Sequence, residues 1–282
     1  MKASRQKKFL PKSNVLTLFS PAKINLFLKL INRREDGYHN LASLFQTIDL
    51  GDTLTLKESS HDTLICTYPG IPQDRTNLIW KAVDLFRKKT GIKNSLHITL
   101  EKKIPPQAGL AGGSSNGATI LYGLNIFFKT NITMNDLATW SEAIGSDLPF
   151  FFSKGTAYCR GRGELVQEMP PLIGSGILVK PEEGLSTKEV FAKLMIENSS
   201  DEDVEKTLKS FYTDRPIYCN DLEKAAFILL PKLKKIKEQL DGEGVMTGSG
   251  TAFFCKKEMN LPFDLWSYSV NFINRSEGGW YR

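Results

Sequence analysis

Apolar and polar positions change their spacing along this chain, and the changes divide it into elements. From Val15 onward, runs rich in β-branched and aliphatic residues predict strands at Leu16–Phe19, Ile24–Ile31, Phe45–Leu50 and Thr53–Leu56, the last in strict alternation. Arg34-Glu35-Asp36-Gly37 supplies turn chemistry between the second and third, and Gly51-Asp52 predicts another reversal. The period then lengthens to about 3.6 residues. Leu78, Ala82, Leu85 and Phe86 share one face of a helix predicted over 77–89, with Gly91 past its end. A strand over 96–100 follows, in which His97 alternates with Leu96, Ile98 and Leu100 and is expected on the solvent face. A helix over 115–128 buries Leu121, Leu124 and Phe128, with Ser114 or Ser115 as its cap. Another over 134–144 carries Leu137, Trp140 and Ile144, and Thr133 with Asp136 resembles a capping box. An acidic stretch near 197–205 precedes a Lys-rich helical segment around 222–240, which Pro231 should kink or divide.

Composition narrows the class. The 282 residues, 41% hydrophobic and 24% charged, predict a soluble globular chain of about two domains and exclude disorder, collagen and fibre. No apolar run approaches the roughly 18 residues of a membrane span. Lys2, Arg5, Lys7, Lys8 and Lys12 supply five positive charges with no acid among residues 1–12, out of a formal net charge of +6. The remainder is nearly neutral, so the basic end reads as a solvated extension rather than a nucleic-acid surface. No apolar core follows it as a secretory signal requires. Cys66, Cys159, Cys219 and Cys255 are 93, 60 and 36 residues apart with no Cys-x-x-Cys, which leaves zinc and redox motifs unsupported and favours reduced thiols in a cytoplasmic protein.

Three segments carry candidate chemistry. Ile104-Pro105-Pro106-Gln107-Ala108-Gly109-Leu110-Ala111-Gly112-Gly113-Ser114-Ser115-Asn116 links a strand to a helix. Its glycines let backbone approach a ligand, and free N–H groups at a helix start attract phosphate; read alone, the segment is equally a flexible loop. It matches neither the P-loop nor the dinucleotide fingerprint. Lys23 and Asn25 share a face of an otherwise apolar strand, as a site or as two exposed residues of an edge strand. Asp147 lies in Gly145-Ser146-Asp147-Leu148-Pro149, before the aromatic run Phe150–Phe152, as a site acid or a turn residue.

Together, Ser-Pro-Ala-Lys-Ile-Asn-Leu-Phe-Leu at 20–28, Arg34-Glu35-Asp36-Gly37-Tyr38-His39, the loop Ala108–Asn116, Gly145–Pro149 and Thr247-Gly248-Ser249-Gly250 resemble the GHMP small-molecule kinases. The first and second resemble in particular the branch that phosphorylates the 2-hydroxyl of a cytidylyl methylerythritol in isoprenoid precursor synthesis. The resemblance runs in order from Ser20 to Cys255. It implies an α+β, two-domain GHMP kinase fold, with an N-terminal ATP-binding domain over 14–169 after the basic extension 1–13, a C-terminal domain over 170–282, and the active site between them. ATP and Mg²⁺ are the implied cofactors and a cytidylyl small molecule the partner, with no specific nucleic acid or membrane; a monomer or weak homodimer is expected.

Residue by residue, the resemblance puts the catalytic pair on Lys23 and Asp147. It puts the phosphate loop on Pro105, Pro106, Gln107, Ala108, Gly109, Leu110, Ala111, Gly112, Gly113, Ser114 and Ser115, and the adenosine neighbourhood on Asn77 and Leu78. Substrate contacts fall on Asn25, Tyr38, His39, Thr187, Gly248, Ser249 and Gly250, with no protein side chain assigned as a metal ligand and the Ser114 and Ser115 hydroxyls as candidate contacts to Mg²⁺. Gln107, Ala108 and Ala111 stand where some relatives carry glycine and are expected not to need a positive φ. The rival readings are another GHMP kinase, acting on mevalonate, homoserine or a sugar, and a non-catalytic ligand sensor or RNA-binding relative on the same fold.

Overall fold

A computed structural model describes residues 15–194, 200–256 and 265–282, so the basic extension lies outside the described residues, as does part of the acidic stretch near 200. The four strands expected at the start are two long ones, β1 (Val15–Arg33) and β2 (His39–Glu58), paired antiparallel about the turn at Arg34–Tyr38. Gly51-Asp52 is therefore not a reversal. The ladder slips between Pro21 and Ala22, where proline has no N–H to donate, and resumes beyond. Asp52, fully buried, spends its carboxylate on the neighbouring chain rather than on a turn.

β3 (Thr63–Cys66) and β4 (Leu96–Glu101) extend this sheet on one side, and the two-residue β8 (Cys219–Asn220) pairs parallel to β1 on the other. β5 (Thr156–Gly161) pairs the opposite half of β2 and carries β6 (Leu165–Glu168). A second, antiparallel sheet has the order β11 (Trp266–Asn271), β7 (Ser175–Lys180), β10 (Phe253–Cys255) and β9 (Val245–Met246). From Phe272 the chain returns to the first sheet.

Helix α1 (Leu78–Thr90) matches its prediction: Asn77 Oδ1 accepts from the Ile79 amide, and Gly91 takes the left-handed φ of +77° past the end. α2 begins earlier than expected (Gly112–Phe127), and neither Ser114 nor Ser115 caps it; Ala111 occupies the cap at φ +52° with no side-chain bond. Ser115 turns inward, its hydroxyl 2.8 Å from that of Ser20. α3 (Met134–Ser141) is capped by Thr133 as read, and ends short of Ile144. After the short 3₁₀ helix Pro149–Phe152 come α4 (Thr187–Ala192) and α5 (Asp201–Ser210). The Lys-rich segment is divided at Pro231 into α6 (Glu223–Leu229) and α7 (Lys232–Gln239).

Apolar faces meet in three clusters. One packs α1 and α2 on β2 and β4 through Ile79, Val83, Phe86, Leu121, Leu54 and Ile98. A second joins β1 to the second sheet through Ile24, Leu26, Leu178 and Phe254, and the third sets α6 and α7 on that sheet through Ala226, Leu233, Ile236 and Phe253. β1 is buried from Ser20 to Leu28, which removes the reading of Lys23 and Asn25 as two exposed residues of an edge strand.

Candidate active site

Lys23 and Asn25 project from the same face of β1 at 2% and 1% exposure. Lys23 Nζ donates to Asn25 Oδ1 at 2.5 Å, stands 4.4 Å from the Phe45 ring centroid and is 3.8 Å from Asp147 Oδ2. Burial pulls the Lys23 pKa down, while Asp147 pulls it back up. Burial also raises the Cys159 thiol well above its ordinary value, so it stays protonated behind the lysine. Asn25 is held on both sides: its amide N–H donates to Thr247 Oγ1 at 3.0 Å, and its Nδ2 to Ser43 Oγ at 2.8 Å.

Asp147 is the accessible member of the pair, its side chain 32% exposed. It precedes the 3₁₀ helix, whose Phe150, Phe151 and Phe152 are buried and anchor the segment. Gly163, at φ +119°, passes close by, and a Cβ there would lie 3.1 Å from Asp147 Oδ1.

The glycine loop is clamped at both ends by a polar network that its own sequence does not announce. Asp52 Oδ1 accepts from the amides of Lys103 and Ile104, both at 2.8 Å. Its Oδ2 accepts from Lys102 Nζ at 2.6 Å and Asn116 Nδ2 at 2.9 Å, so one buried carboxylate ties the entry of the loop to the first turns of α2. In the middle, the Lys23 amide donates to Leu110 O at 3.2 Å, which joins the loop to β1. Gln107, Gly109 and Ala111 have φ of +53°, +75° and +52°. The expectation that Gln107 and Ala111 need no positive φ was wrong, whereas Ala108 is not among the positive-φ residues. Buried Ala108 and Leu110 alternate with the left-handed residues and hold them there. The first helical hydrogen bond of α2 runs from Ser115 N to Ala111 O, so the amides of Gly112, Gly113 and Ser114 lie ahead of it at the positive end of the helix dipole. Alternating left-handed residues before a helix start build a concavity suited to phosphate.

Leu78 borders the loop, 3.5 Å from where a Gly113 Cβ would stand, and Asn77 beside it uses both side-chain polar atoms on local backbone. Thr187 Oγ1 and Ser249 Oγ are 2.7 Å apart, and a Gly248 Cβ would be 3.4 Å from Lys23 Nζ. Pro105 and Pro106 are half-buried at the start of the loop. Tyr38 is 57% exposed, with the Arg162 guanidinium 5.2 Å from its ring centroid. His39 is buried, its ring 5.4 Å from that of Phe191, and burial and then Arg33 pull its pKa down.

Phe191 and Arg162 were missed. Phe191 lies four residues after Thr187, hence on the same face of α4, a spacing that would have found it. Arg162 Nε is buried with no hydrogen-bond partner, and the ion pair it forms, with Glu164 Oε1, is long at 3.7 Å.

A helix start with free amides, tied to a strand that carries a buried lysine with an accessible carboxylate across from it, has the parts that phosphoryl transfer uses. The class this defines is the GHMP kinases, and residues 77–155 match the model of the GHMP kinases N terminal domain. The chain is 48% identical over 271 residues to the 4-diphosphocytidyl-2-C-methyl-D-erythritol kinase of Protochlamydia amoebophila (strain UWE25), covering 94% of this chain and 93% of that one. It is 42% identical to the chloroplastic enzyme of that name from Arabidopsis thaliana, over 95% of this chain and 76% of the other. A crystal structure of 4-(cytidine 5'-diphospho)-2C-methyl-D-erythritol kinase superposes with a TM-score of 0.79 at 30% identity, covering 92% of this chain and all of that one. The chain belongs to the 4-diphosphocytidyl-2-C-methyl-D-erythritol kinase family.

Proposed function

We propose that this chain transfers the γ-phosphate of ATP to the 2-hydroxyl of 4-diphosphocytidyl-2-C-methyl-D-erythritol, giving the 2-phosphate and ADP in the non-mevalonate route to isoprenoid precursors. The observation that carries the reading is the Lys23–Asp147 pair, 3.8 Å apart and joined through the Lys23 backbone to the glycine loop. Family membership supports the choice of substrate.

Asp147, a third exposed, takes the proton of the acceptor hydroxyl. Lys23 pairs with Asp147 and offsets charge on the moving phosphoryl group, and Asn25 orients Lys23. The amides of Gly112, Gly113 and Ser114 hold the ATP phosphates, with Leu78 beside the adenosine. Mg²⁺, arriving with the nucleotide, would supply charge neutralisation at the phosphates. The Ser115 hydroxyl is committed to Ser20, which leaves Ser114 as the serine hydroxyl of the loop for that ion.

Tyr38 stacks on the cytosine, and His39, braced by Phe191, reads its edge. Arg162, beside both Tyr38 and the turn that touches Asp147, neutralises the diphosphate that must lie between base and acceptor. Thr187 and the Gly248–Gly250 segment border the acceptor end. We assign the ATP-binding domain to 14–169 and the second domain to 170–282, in a cytoplasmic monomer or weak homodimer; among the described residues no helix is long and apolar enough to cross a membrane.

The test is ADP release with ATP and Mg²⁺, comparing the cytidylyl substrate with mevalonate, homoserine and galactose. Turnover confined to the cytidylyl substrate and lost in Asp147→Asn supports the proposal. Turnover with another acceptor would overturn the roles of Tyr38 and His39, and none with any acceptor would favour a sensor.

A further inference from the structure

The last residues of the chain touch the supports of both catalytic side chains. At one end, the Ile273 amide donates to Thr47 O at 3.0 Å and Ile273 O accepts from Thr47 Oγ1 at 2.6 Å. Thr47 is the cross-strand neighbour of Lys23. At the other end, Trp280 Nε1 donates to Phe19 O at 2.9 Å, four residues before Lys23 on β1, while its ring stacks on Tyr122 of α2 at 4.4 Å.

Between these two anchors the segment meets the end of the 3₁₀ helix that follows Asp147. Arg275 Nε donates to Ser153 O at 2.8 Å, its Nη2 donates to Phe152 O, and Tyr281 Oη donates to Ser153 O at 2.8 Å. The carbonyls at the end of a helix have no partners within it, and a guanidinium there both satisfies them and complements the negative end of the dipole. The other guanidinium nitrogen, Nη1, donates to Ser276 O and Gly279 O, so Arg275 is itself fixed by the turn of its own segment. Trp280 and Tyr281 are 8% and 4% exposed, which makes this a buried seam rather than a loose tail.

The Asp147 side chain is a third exposed and, among the described residues, its one ion pair, to Lys23, spans 3.8 Å, so its position depends on the backbone of the turn and helix that follow. We propose that residues 273–281 form a strap that sets the spacing of Lys23 and Asp147, with Arg275 as the positioning residue that locks the Asp147 segment against β1 and β2. The inference rests on the kinase reading above. Misplacement of a reacting group by about 1 Å costs on the order of 10²-fold in rate, so a strap remote from substrate governs turnover while leaving affinity alone.

The experiment compares wild type, Arg275→Ala, Arg275→Lys and Tyr281→Phe by steady-state ADP release and thermal melting, and repeats Arg275→Ala in the Asp147→Asn background. Arg275→Ala is expected to lower kcat by roughly 10- to 100-fold with KM for ATP and for the acceptor within about threefold, and Arg275→Lys to recover part of the loss. In the Asp147→Asn background the same change is expected to cost less than about twofold, because the group it positions has gone. A crystal structure of Arg275→Ala should show the Lys23–Asp147 separation widened. Unchanged kcat, an equal loss in both backgrounds, or an unaltered separation would overturn the strap. If Arg275→Ala does not fold, Arg275→Lys and Tyr281→Phe are read by the same criteria. Failure of wild type on the cytidylyl acceptor would count against the substrate assignment alone, since the variants are then compared with the acceptor wild type uses and by their structures.

Discussion

A Cβ placed on Gly250 would fall 1.9 Å from the amide nitrogen of Gly109. The reciprocal contact is as tight, a Cβ on Gly109 lying 1.8 Å from Thr247 O, and the Ala252 amide donates to Ala108 O at 3.3 Å. Two glycine motifs, with Gly109 and Gly250 141 residues apart, thus meet backbone to backbone beside Lys23, and the earlier loop takes its shape from the later motif as well as from its own sequence. Gly250→Ala must push the loop away. It is expected to cost at least about 2 kcal/mol, a fall in Tm of roughly 4–8 °C, with KM for ATP raised about tenfold or more. Melting and ATP titration check this, and a wild-type Tm would refute the contact.

Within the same loop, Ala111 at φ +52° holds a conformation that costs an L-residue about 1–2 kcal/mol, whereas glycine adds only its larger unfolded-state entropy of roughly 0.5–1 kcal/mol. Ala111→Gly should therefore leave Tm unchanged or raise it by a few degrees. Ala111→Val, β-branched at a left-handed position, should lower it. Thermal unfolding decides: a valine variant as stable as wild type would mean that the residue is not left-handed.

The lysine at the centre of the site has a cost in stability. Burial is the dominant influence on Lys23 and pulls its pKa down from the ordinary lysine value, so the unfolded chain binds its proton more tightly than the folded one. The sign follows: this group's contribution to stability rises as pH is raised from the folded pKa toward about 10.4. Lys23→Met should melt at or above the wild-type temperature at neutral pH while turnover falls by 10²-fold or more, and Asp147→Asn should cut turnover by roughly 10² to 10⁴ with folding and ATP binding near normal. Near wild-type turnover in the asparagine variant would remove the base assignment. Marked destabilisation by methionine would mean that Lys23 is net stabilising.

Recognition of the base is tested separately. Base–aromatic stacking is worth about 1–3 kcal/mol, so Tyr38→Ala should raise KM for the cytidylyl substrate by roughly 5- to 100-fold without changing KM for ATP. Phe191→Ala removes the ring packed on His39 and should act in the same direction. Equal weakening of ATP binding would overturn the assignment of Tyr38 to the cytidylyl substrate.

The parts of this molecule that were legible in its sequence are those whose determinants lie close together in the chain. Asn77 and Gly91 bound α1, Thr133 caps α3 and Pro231 divides α6 from α7, each through a local backbone constraint. Lys23 and Asn25 share a face because a strand has a period of two. What escaped depends on distant partners. Asp52 reads as a turn residue after Gly51, yet it is a buried anchor because Lys102, 50 positions away, neutralises it. Proline and glycine at 21 and 51 look like breaks, yet they sit opposite each other at one irregularity of a continuous ladder. The left-handed Gln107 and Ala111 follow from packing on either side of the loop, not from their own propensities.

Away from Lys23 and Asp147, an acid-sensitive linkage forms at Asp62. Arg87 grips both carboxylate oxygens at 2.7 and 2.8 Å, Arg75 adds a contact at 2.7 Å, and the Leu96 amide donates at 3.0 Å, so one side chain ties α1 to the start of β4. The Arg87 hydrogen bonds, with help from Leu96 and Arg75, hold the Asp62 carboxyl well below the usual carboxylate range. Since the folded pKa lies below the unfolded value of about 3.9, this stability is fully present above pH 5 and is lost as pH falls through 4 toward the folded value. Asp62 and Arg87 are each about one-fifth exposed, and charge-assisted hydrogen bonds of this kind contribute on the order of 2 kcal/mol after allowance for screening. Asp62→Asn should accordingly lower Tm by roughly 4–8 °C at pH 7, and the gap to wild type should narrow progressively between pH 4 and pH 2. Melting curves of the two proteins across that range provide the check. A gap that stayed constant down to pH 2 would mean that Asp62 contributes through shape rather than charge.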